Sequence, residues 1–323
     1  MKVCVVGAGA IGSLFAGHLA RQAEVWVLTR RDVQARALRL EGLRVSGKAN
    51  FTASVQATAD PRELPSFDLA IVCTKATDLD GAMVRLSGLA PEAAVMTTQN
   101  GLGAEEIVRR HGPWSVISAV TFMSGTRHSD DHVEYELDAP TWLGPGTCAP
   151  PAATIAEVAA LIAACGLRVV AMDDVRPAQW SKLVFNATVN AVSALTELPH
   201  DRRFREEAEL WDLGHLVHRL MEEGTQVASA AGVPLLEDPW EMNLHAVRRG
   251  ETDAGAYRHL PSMLEDVLAG RPTEIDFITG QLVQAGRRHG VETPLHLALY
   301  QLVKAKESGY LGGRPYHDSV VDS

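Results

Sequence analysis

The sequence predicts an α/β chain in two parts, a parallel-sheet domain over residues 1–173 followed by an all-helical domain over residues 174–323. Three observations predict it. Strand and helix patterns alternate through the first half. The strands there are continuous apolar runs, as expected of a parallel sheet covered on both faces. After Asp173-Asp174 the texture changes, and nearly every segment to about Lys306 carries helical periodicity.

The elements follow in order. Residues 2–7 form a short β-branched run, and 11–21 carry apolar residues at helical spacing. Residues 24–28 (EVWVL) read as a second strand and 32–41 as a second helix. Residues 69–74 (LAIVCT) and 94–98 are further buried-type strands, each followed by a helical stretch. From 114 to 142 the sequence is β-branched and rich in turn residues, which predicts a few antiparallel strands. Residues 154–164 read as a helix and 167–172 as a last strand. Asp173-Asp174 with Pro177 is a helix start signal, a carboxylate cap followed by proline in the first turn. The helical half is punctuated by Gly232-Val-Pro234, Gly250, Gly270-Arg-Pro272 and Gly290. There is no internal repeat and no low-complexity segment, and the last dozen residues are expected to fray.

Bulk properties narrow the partners. At 323 residues the chain is long enough for two domains, and its 46% apolar and 22% charged residues are those of an ordinary globular protein. A net charge of −10 argues against nucleic acid, which needs a clustered basic face, and gives no reason to expect an anionic membrane as partner. Cys4, Cys73, Cys148 and Cys165 are far apart, which predicts reduced, mostly buried thiols in a cytoplasmic protein rather than disulfides or a zinc site. The apolar run from Val3 to Ala20 superficially resembles a secretory signal. Gly7, Gly9 and Gly12 interrupt it, however, and no other stretch approaches the roughly 18 apolar residues of a membrane span.

Gly7-Ala-Gly9-Ala10-Ile11-Gly12 is a G-x-G-x-x-G between the first strand and the first helix. The first glycine permits a tight turn, the second lets the backbone approach a pyrophosphate, and the third allows close helix–strand packing. In this context the loop predicts dinucleotide binding by a Rossmann-type domain. An NAD site usually ends its second strand on Asp or Glu. Here that strand ends Thr29-Arg30-Arg31, and two guanidinium groups suit a 2′-phosphate. The expected cofactor is NADP(H), with the choice between Arg30 and Arg31 open.

The helix from about Pro177 carries Lys182, Asn186 and Asn190 at i, i+4 and i+8, one stripe among Trp180, Leu183, Val184, Phe185, Ala187 and Val189. A lysine and two asparagines in so apolar a helix are costly to bury without partners. A cleft filled by cofactor and substrate would supply them. The alternative is an exposed polar face, which usually mixes Glu, Arg and Gln.

GAGAIG at the start, CTKATD around Lys75, QNGLG around Asn100, the stripe W-S-K-x-x-x-N-x-x-x-N and the later SMLED and RPTEIDFITG together resemble the ketopantoate reductase family. The resemblance covers almost the whole chain, in the family's order and with similar spacing. It implies an N-terminal Rossmann-type parallel-sheet domain with a C-terminal all-helical domain and an active site in the cleft between them. It also implies NADPH-dependent reduction of 2-dehydropantoate to pantoate, on the route to pantothenate. By this resemblance Lys182 is the general acid and Glu274 works with it. Asn186 and Asn190 hold the substrate's polar groups, Ser262 meets its carboxylate, and Asn100 lies between cofactor and substrate. Lys75 stands on the cofactor side, with Arg30 or Arg31 at the 2′-phosphate. Without the resemblance, Glu274 reads as a helix-surface carboxylate and Ser262 as a helix N-cap after Pro261. Ala191 and Thr279 depart from the family pattern, where proline and asparagine are common.

His128-Ser-Asp-Asp-His132 and His215-x-x-His218 have ligand-like spacing but no H-E-x-x-H or cysteine partner, so they read as loop and helix residues and no metal is expected. Two other functions fit less well: a reductase of the same architecture acting on a different 2-oxo acid, and a non-catalytic NADP(H)-binding regulator lacking a lysine–glutamate pair. The sequence leaves the oligomeric state open, a homodimer included.

Overall fold

The structure, a computed structural model, describes residues 1–205, 211–252 and 260–312. The chain divides into two compact units: Met1–Gln99 with Gly103–Val175, and Asn100–Leu102 with the chain from Arg176 onward. The break lies two residues beyond the one read from the sequence. The short segment Asn100–Leu102 goes with the second unit, which a single linear boundary could not express.

The first unit runs β1 (Lys2–Val6), α1 (Ala10–Leu19), β2 (Glu24–Leu28), α2 (Asp32–Glu41), β3 (Leu43–Gly47), β4 (Phe51–Ala53), β5 (Gln56–Thr58), β6 (Leu69–Val72), α3 (Ala76–Leu86), β7 (Ala94–Thr97) and α4 (Ala104–His111). It continues with β8 (Ser115–Thr121), β9 (Ser124–Arg127), β10 (His132–Leu137), β11 (Thr141–Pro145), α5 (Ala152–Ala164) and β12 (Val169–Ala171). Eight strands make one sheet in the order β12-β11-β8-β7-β6-β1-β2-β5. From β5 to β8 neighbouring strands are parallel, while β11 runs antiparallel to β8. β6 and β7 are buried at every position, which is why their sequences show no alternation. The strand order reverses at β1, with β2 on one side and β6 on the other. Open α/β sheets place ligands at the carboxyl ends of their strands at such a point.

The antiparallel pairing expected over residues 114–142 is present, β8 with β11 and β9 with β10, but it is split between two sheets. β8 extends the main sheet in parallel with β7, and β9 and β10 join a second sheet ordered β4-β3-β10-β9. That sheet covers α1: a Cβ at Gly17 would lie 2.9 Å from Val45 Cγ2, and one at Gly125 3.2 Å from Leu14. The signal for β3 is its period-2 pattern, with Leu43 and Val45 buried and Arg44 exposed between them. Two strands this short, set among turn residues, give little else to read.

The second unit contains α6 (Arg176–Thr196), α7 (Trp211–Ala230), α8 (Pro239–Thr252), α9 (Ser262–Leu268), α10 (Thr279–Arg288) and α11 (Pro294–Tyr310). α6 is its axis and packs against all five of the others. Its apolar residues Leu183, Val184, Ala187, Ala191 and Ala194 are at most 1% exposed. Among the described residues no helix is long and apolar enough to cross a membrane. Of the four free cysteines, Cys4 and Cys165 are buried, Cys73 is half-buried and Cys148 is exposed.

Candidate active site

In the first unit the glycine loop is shaped by backbone packing. Gly7 leaves β1 at φ +95°, in the left-handed region, and its N–H donates to Leu28 O at 2.9 Å. A Cβ at Gly12 would stand 1.9 Å from Gly7 O, so only glycine lets the first turn of α1 pack this closely on the loop. Gly9 is the N-cap of α1 and has no side chain to cap the first-turn N–H groups; a Cβ there would meet nothing within 4 Å. Gln34 of α2 ties the loop down by donating to Ala8 O at 2.9 Å. An uncapped helix N-terminus beside open space, with Ala10 and Ile11 in its first turn, fits a pyrophosphate.

The end of β2 separates its two arginines. Thr29 is fully buried, and its carbonyl accepts from Arg85 Nη2 at 3.0 Å. Arg30 projects into solvent with 82% of its side chain exposed and has Asp78 only at 3.8 Å. Arg31 pairs with Asp130 from the β9–β10 turn, which also takes Arg127 at 2.9 Å. Lys75 is half-buried, three residues beyond β6 and just before α3.

Two polar side chains here were missed by sequence reasoning. Gln99 donates through Nε2 to Val72 O and Thr74 O, both at 2.9 Å, tying together the carboxyl ends of β6 and β7. Its Oε1 and the hydroxyl of Thr74 are buried with no hydrogen-bond partner among the described residues. Both belong to the motifs CTKATD and QNGLG, in which the sequence singles out only Lys75 and Asn100.

In the second unit three remote stretches of chain meet. Asn186 and Asn190 on α6 are 9% and 5% exposed, and Glu274, in the turn before α10, is 6% exposed. Asn186 Nδ2 donates to Asn100 Oδ1 at 3.5 Å, and Asn100 Nδ2 donates to Glu274 Oε2 at 3.4 Å. These are long hydrogen bonds, and they link one amide from each of two segments to the carboxylate of a third. Gly101 makes the approach possible. At φ +88° its Cβ would fall 1.9 Å from Phe277 O, and the next residue, Leu102, donates its N–H to that same carbonyl at 3.1 Å.

Lys182, one turn before Asn186, is half-buried. Burial pushes its ammonium down to about 8, and the nearby Glu274 carboxylate opposes that shift without cancelling it. The result is an amine able to hold or release a proton near neutral pH, beside a buried carboxylate and two amides that can orient a polar ligand.

Two residues stand differently from their sequence readings. Glu274 is in a non-helical turn, not on a helix surface, and Ser262 is the first residue inside α9, with Pro261 at the cap position. α9 lies against α6. Thr279 is fully buried and donates to Ala187 O at 3.2 Å, so its hydroxyl braces α6, and α6 runs unbroken through Ala191. His128 pairs with Glu134 and His132 with Ser46, both at 2.8 Å, while His218 stacks on Trp240 at 4.5 Å. Among the described residues no three His, Cys, Asp or Glu gather as a metal site.

Two family models match, one over each half: Ketopantoate reductase PanE/ApbA over residues 3–147 and its C-terminal counterpart over 174–307. The chain is similar to the 2-dehydropantoate 2-reductase of Archaeoglobus fulgidus, 29% identical over 310 residues, or 95% of this chain and 98% of that one. The crystal structure of a PanE/ApbA family ketopantoate reductase from Ralstonia eutropha JMP134 superposes with a TM-score of 0.82 at 31% identity, covering 96% of this chain and 100% of that one. A ternary structure of D-mandelate dehydrogenase with NADH and anilino(oxo)acetate shares the fold at a TM-score of 0.84 and 23% identity, with 96% and 100% coverage.

Proposed function

This chain belongs to the ketopantoate reductase family, and we propose that it reduces 2-dehydropantoate to pantoate with NADPH, on the route to pantothenate. The observation that carries the reading is the desolvated Lys182 ammonium on the helix that also supplies Asn186, in one unit with the Asn186–Asn100–Glu274 chain of hydrogen bonds.

NADPH, when bound, supplies the hydride. Ketone reduction places negative charge on the former carbonyl oxygen, and a cationic donor beside that oxygen stabilises the charge and delivers the proton. Lys182 Nζ holds that proton. Glu274 keeps the ammonium charged against the pull of burial. Asn100, Asn186 and Asn190 orient the substrate's oxygens, and Ser262 takes its carboxylate. In the nucleotide unit the glycine loop takes the pyrophosphate. Arg30, the more exposed and more loosely paired of the two arginines, takes the 2′-phosphate with Lys75 on the same cofactor. The four free cysteines suit a reducing, cytoplasmic setting.

The fold is shared with a protein described as D-mandelate dehydrogenase, so it leaves both the 2-oxo acid's side chain and the choice of NADH or NADPH to individual residues. NADPH oxidation measured against a panel of 2-oxo acids tests the reading, with 2-dehydropantoate expected to give the highest kcat/KM. A higher value for another acid would remove the substrate assignment and leave the chemistry. No oxidation with any of them would leave a nucleotide-binding protein without this activity.

A further inference from the structure

Glu274 stands in a stretch with no helix or strand ladder to fix it, between α9 and α10. A carboxylate that tunes a neighbouring lysine must nevertheless be held to a fraction of an ångström. Its backbone carbonyl is used locally, accepting from Phe277 N at 3.0 Å and Ile278 N at 3.1 Å, which closes a turn but does not anchor it.

The anchor comes from α11. Tyr300, Lys304 and Glu307 follow at i, i+4 and i+7 and so share one face of that helix. Glu307 Oε1 accepts from Thr273 N at 2.7 Å, immediately before Glu274. On the other side, Asp276 accepts from Tyr300 OH at 2.8 Å and from Lys304 Nζ at 3.0 Å. Lys304 Nζ also stands 3.3 Å from Glu307 Oε2, so one ammonium joins the two grips. The gripping groups are enclosed: Tyr300 is 1% exposed, Glu307 5% and Thr273 2%. Burial pulls the Lys304 ammonium down, but Asp276 and Glu307 outweigh it and raise it above its ordinary value. The same turn carries Phe277 O, which accepts from Leu102 N, so the segment bearing Asn100 rides on it too.

We infer that Lys304, clamping Asp276 to Glu307, is a positioning residue for Glu274, and that α11 thereby sets the carboxylate that Lys182 works against. This rests on the reading of Glu274 and Lys182 as a working pair. No part of α11 is assigned to substrate or cofactor. Lys304 acts only through the Thr273–Asp276 turn.

Steady-state kinetics on Lys304→Met, Lys304→Arg, Glu274→Gln and the Lys304→Met/Glu274→Gln double variant test it, with 2-dehydropantoate or whichever 2-oxo acid the protein turns over best. Lys304→Met is expected to lower kcat about tenfold with KM for NADPH unchanged, the size of effect a small misplacement produces. Arginine should restore kcat to within about threefold, since it can bridge two carboxylates. In the Glu274→Gln background the loss from Lys304→Met should shrink below about twofold, because groups acting through one another are not additive. A purely structural lysine would instead cost the same in both backgrounds, and that result overturns the inference. Unimpaired Lys304→Met beside a crippled Glu274→Gln overturns it alone, whereas full turnover in Glu274→Gln also removes the role given to Glu274. Should Lys304→Met fail to fold, Tyr300→Phe, which deletes only a hydroxyl, decides instead. A lowered kcat that vanishes in the Glu274→Gln background supports the clamp, and an unchanged kcat refutes it.

Discussion

Around residues 7–12 the chain offers a ligand its backbone, whereas around Lys182 it offers side chains drawn from three distant stretches of sequence. At Gly12 the loop needs glycine because any heavier group would collide, as the 1.9 Å between a Gly12 Cβ and Gly7 O shows. The helical unit needs charge and amides at fixed points, and Glu274 lies 174 residues from Asn100 along the chain. A site made of backbone is compact in sequence and tolerates almost any neighbouring side chain. A site made of side chains depends on how the helices of that unit pack, and its lysine and carboxylate have a tunable chemistry. A side chain at Gly12 should therefore damage structure and cofactor binding together, while removing a polar group in the helical unit should change the reaction and leave the fold.

The largest expected effect tests the side-chain half. Lys182→Ala should cut kcat about 100-fold or more and leave the NADPH Kd nearly unchanged. A loss below about threefold would make the lysine a lining residue. If the protonated Lys182 amine, lowered by burial to about 8, is the donor, kcat in the unmodified protein should be level below pH 8 and fall about tenfold per unit above it. The same shift has a stability sign. A lysine lowered from its ordinary 10.5 costs stability while both states are protonated, below about pH 8, and that cost fades as pH rises from about 8 to 10.5. In Lys182→Ala this rise in stability should be absent from pH-dependent denaturation curves.

The backbone half is sharpest at its glycines. Gly12→Ala must displace Gly7 O and should cost about 1–3 kcal/mol of stability together with most of the NADPH affinity. Gly9→Ala meets open space, so stability should hold to within about 0.5 kcal/mol while NADPH affinity falls. Thermal unfolding beside a binding titration separates the two; equal stability losses would mean that Gly9 is a packing residue.

What is legible in the sequence follows the same division. The strands β1, β2, β6 and β7 and the glycine loop can be read because hydrophobic runs and turn glycines act on their immediate neighbours. The second sheet cannot, because β3 gains its meaning from pairing with β10, about ninety residues later. Lys182, Asn186 and Asn190 are legible as a stripe because one helix holds all three. That Asn100 joins them is readable only through the family resemblance, since no spacing rule connects residue 100 to residues 186 and 274. Thr74 and Gln99 go unread for a different reason: their unpartnered atoms appear only when every buried polar group is accounted for in three dimensions.

Between the two halves in character are the arginines at the end of β2, side chains proposed to serve the backbone-built site. Arg30 is largely exposed with a distant partner, while Arg31 is already engaged by Asp130, which it shares with Arg127. Arg30→Ala should therefore weaken NADPH about ten- to a hundredfold, the worth of a charge-assisted contact, and leave NADH alone. Arg31→Ala should do clearly less. The reverse ranking in binding titrations would hand the 2′-phosphate to Arg31.

The smallest effect, at Ser262, asks whether the helical unit recognises a carboxylate by side chain in contrast to the backbone recognition of phosphate. Ser262 is half-buried and stands inside the first turn of α9, with Pro261 rather than the serine at the cap. Its hydroxyl is therefore not needed to cap the helix, and Ser262→Ala should alter stability by less than about 0.5 kcal/mol. If the hydroxyl bonds the substrate's carboxylate, its loss should raise KM for the 2-oxo acid about three- to tenfold, the net value of one partly exposed hydrogen bond. On the proposed reading NADPH binding should not move, because the residues proposed for its phosphates belong to the other unit, and kcat should fall at most about threefold, since Lys182 is untouched. Steady-state kinetics with the 2-oxo acid varied at saturating NADPH read this directly. An unchanged KM would shift carboxylate recognition to the amides of α6, with Asn190 the next residue to substitute; a kcat loss equal to that of Glu274→Gln would instead mean that α9 carries the Glu274 turn with it.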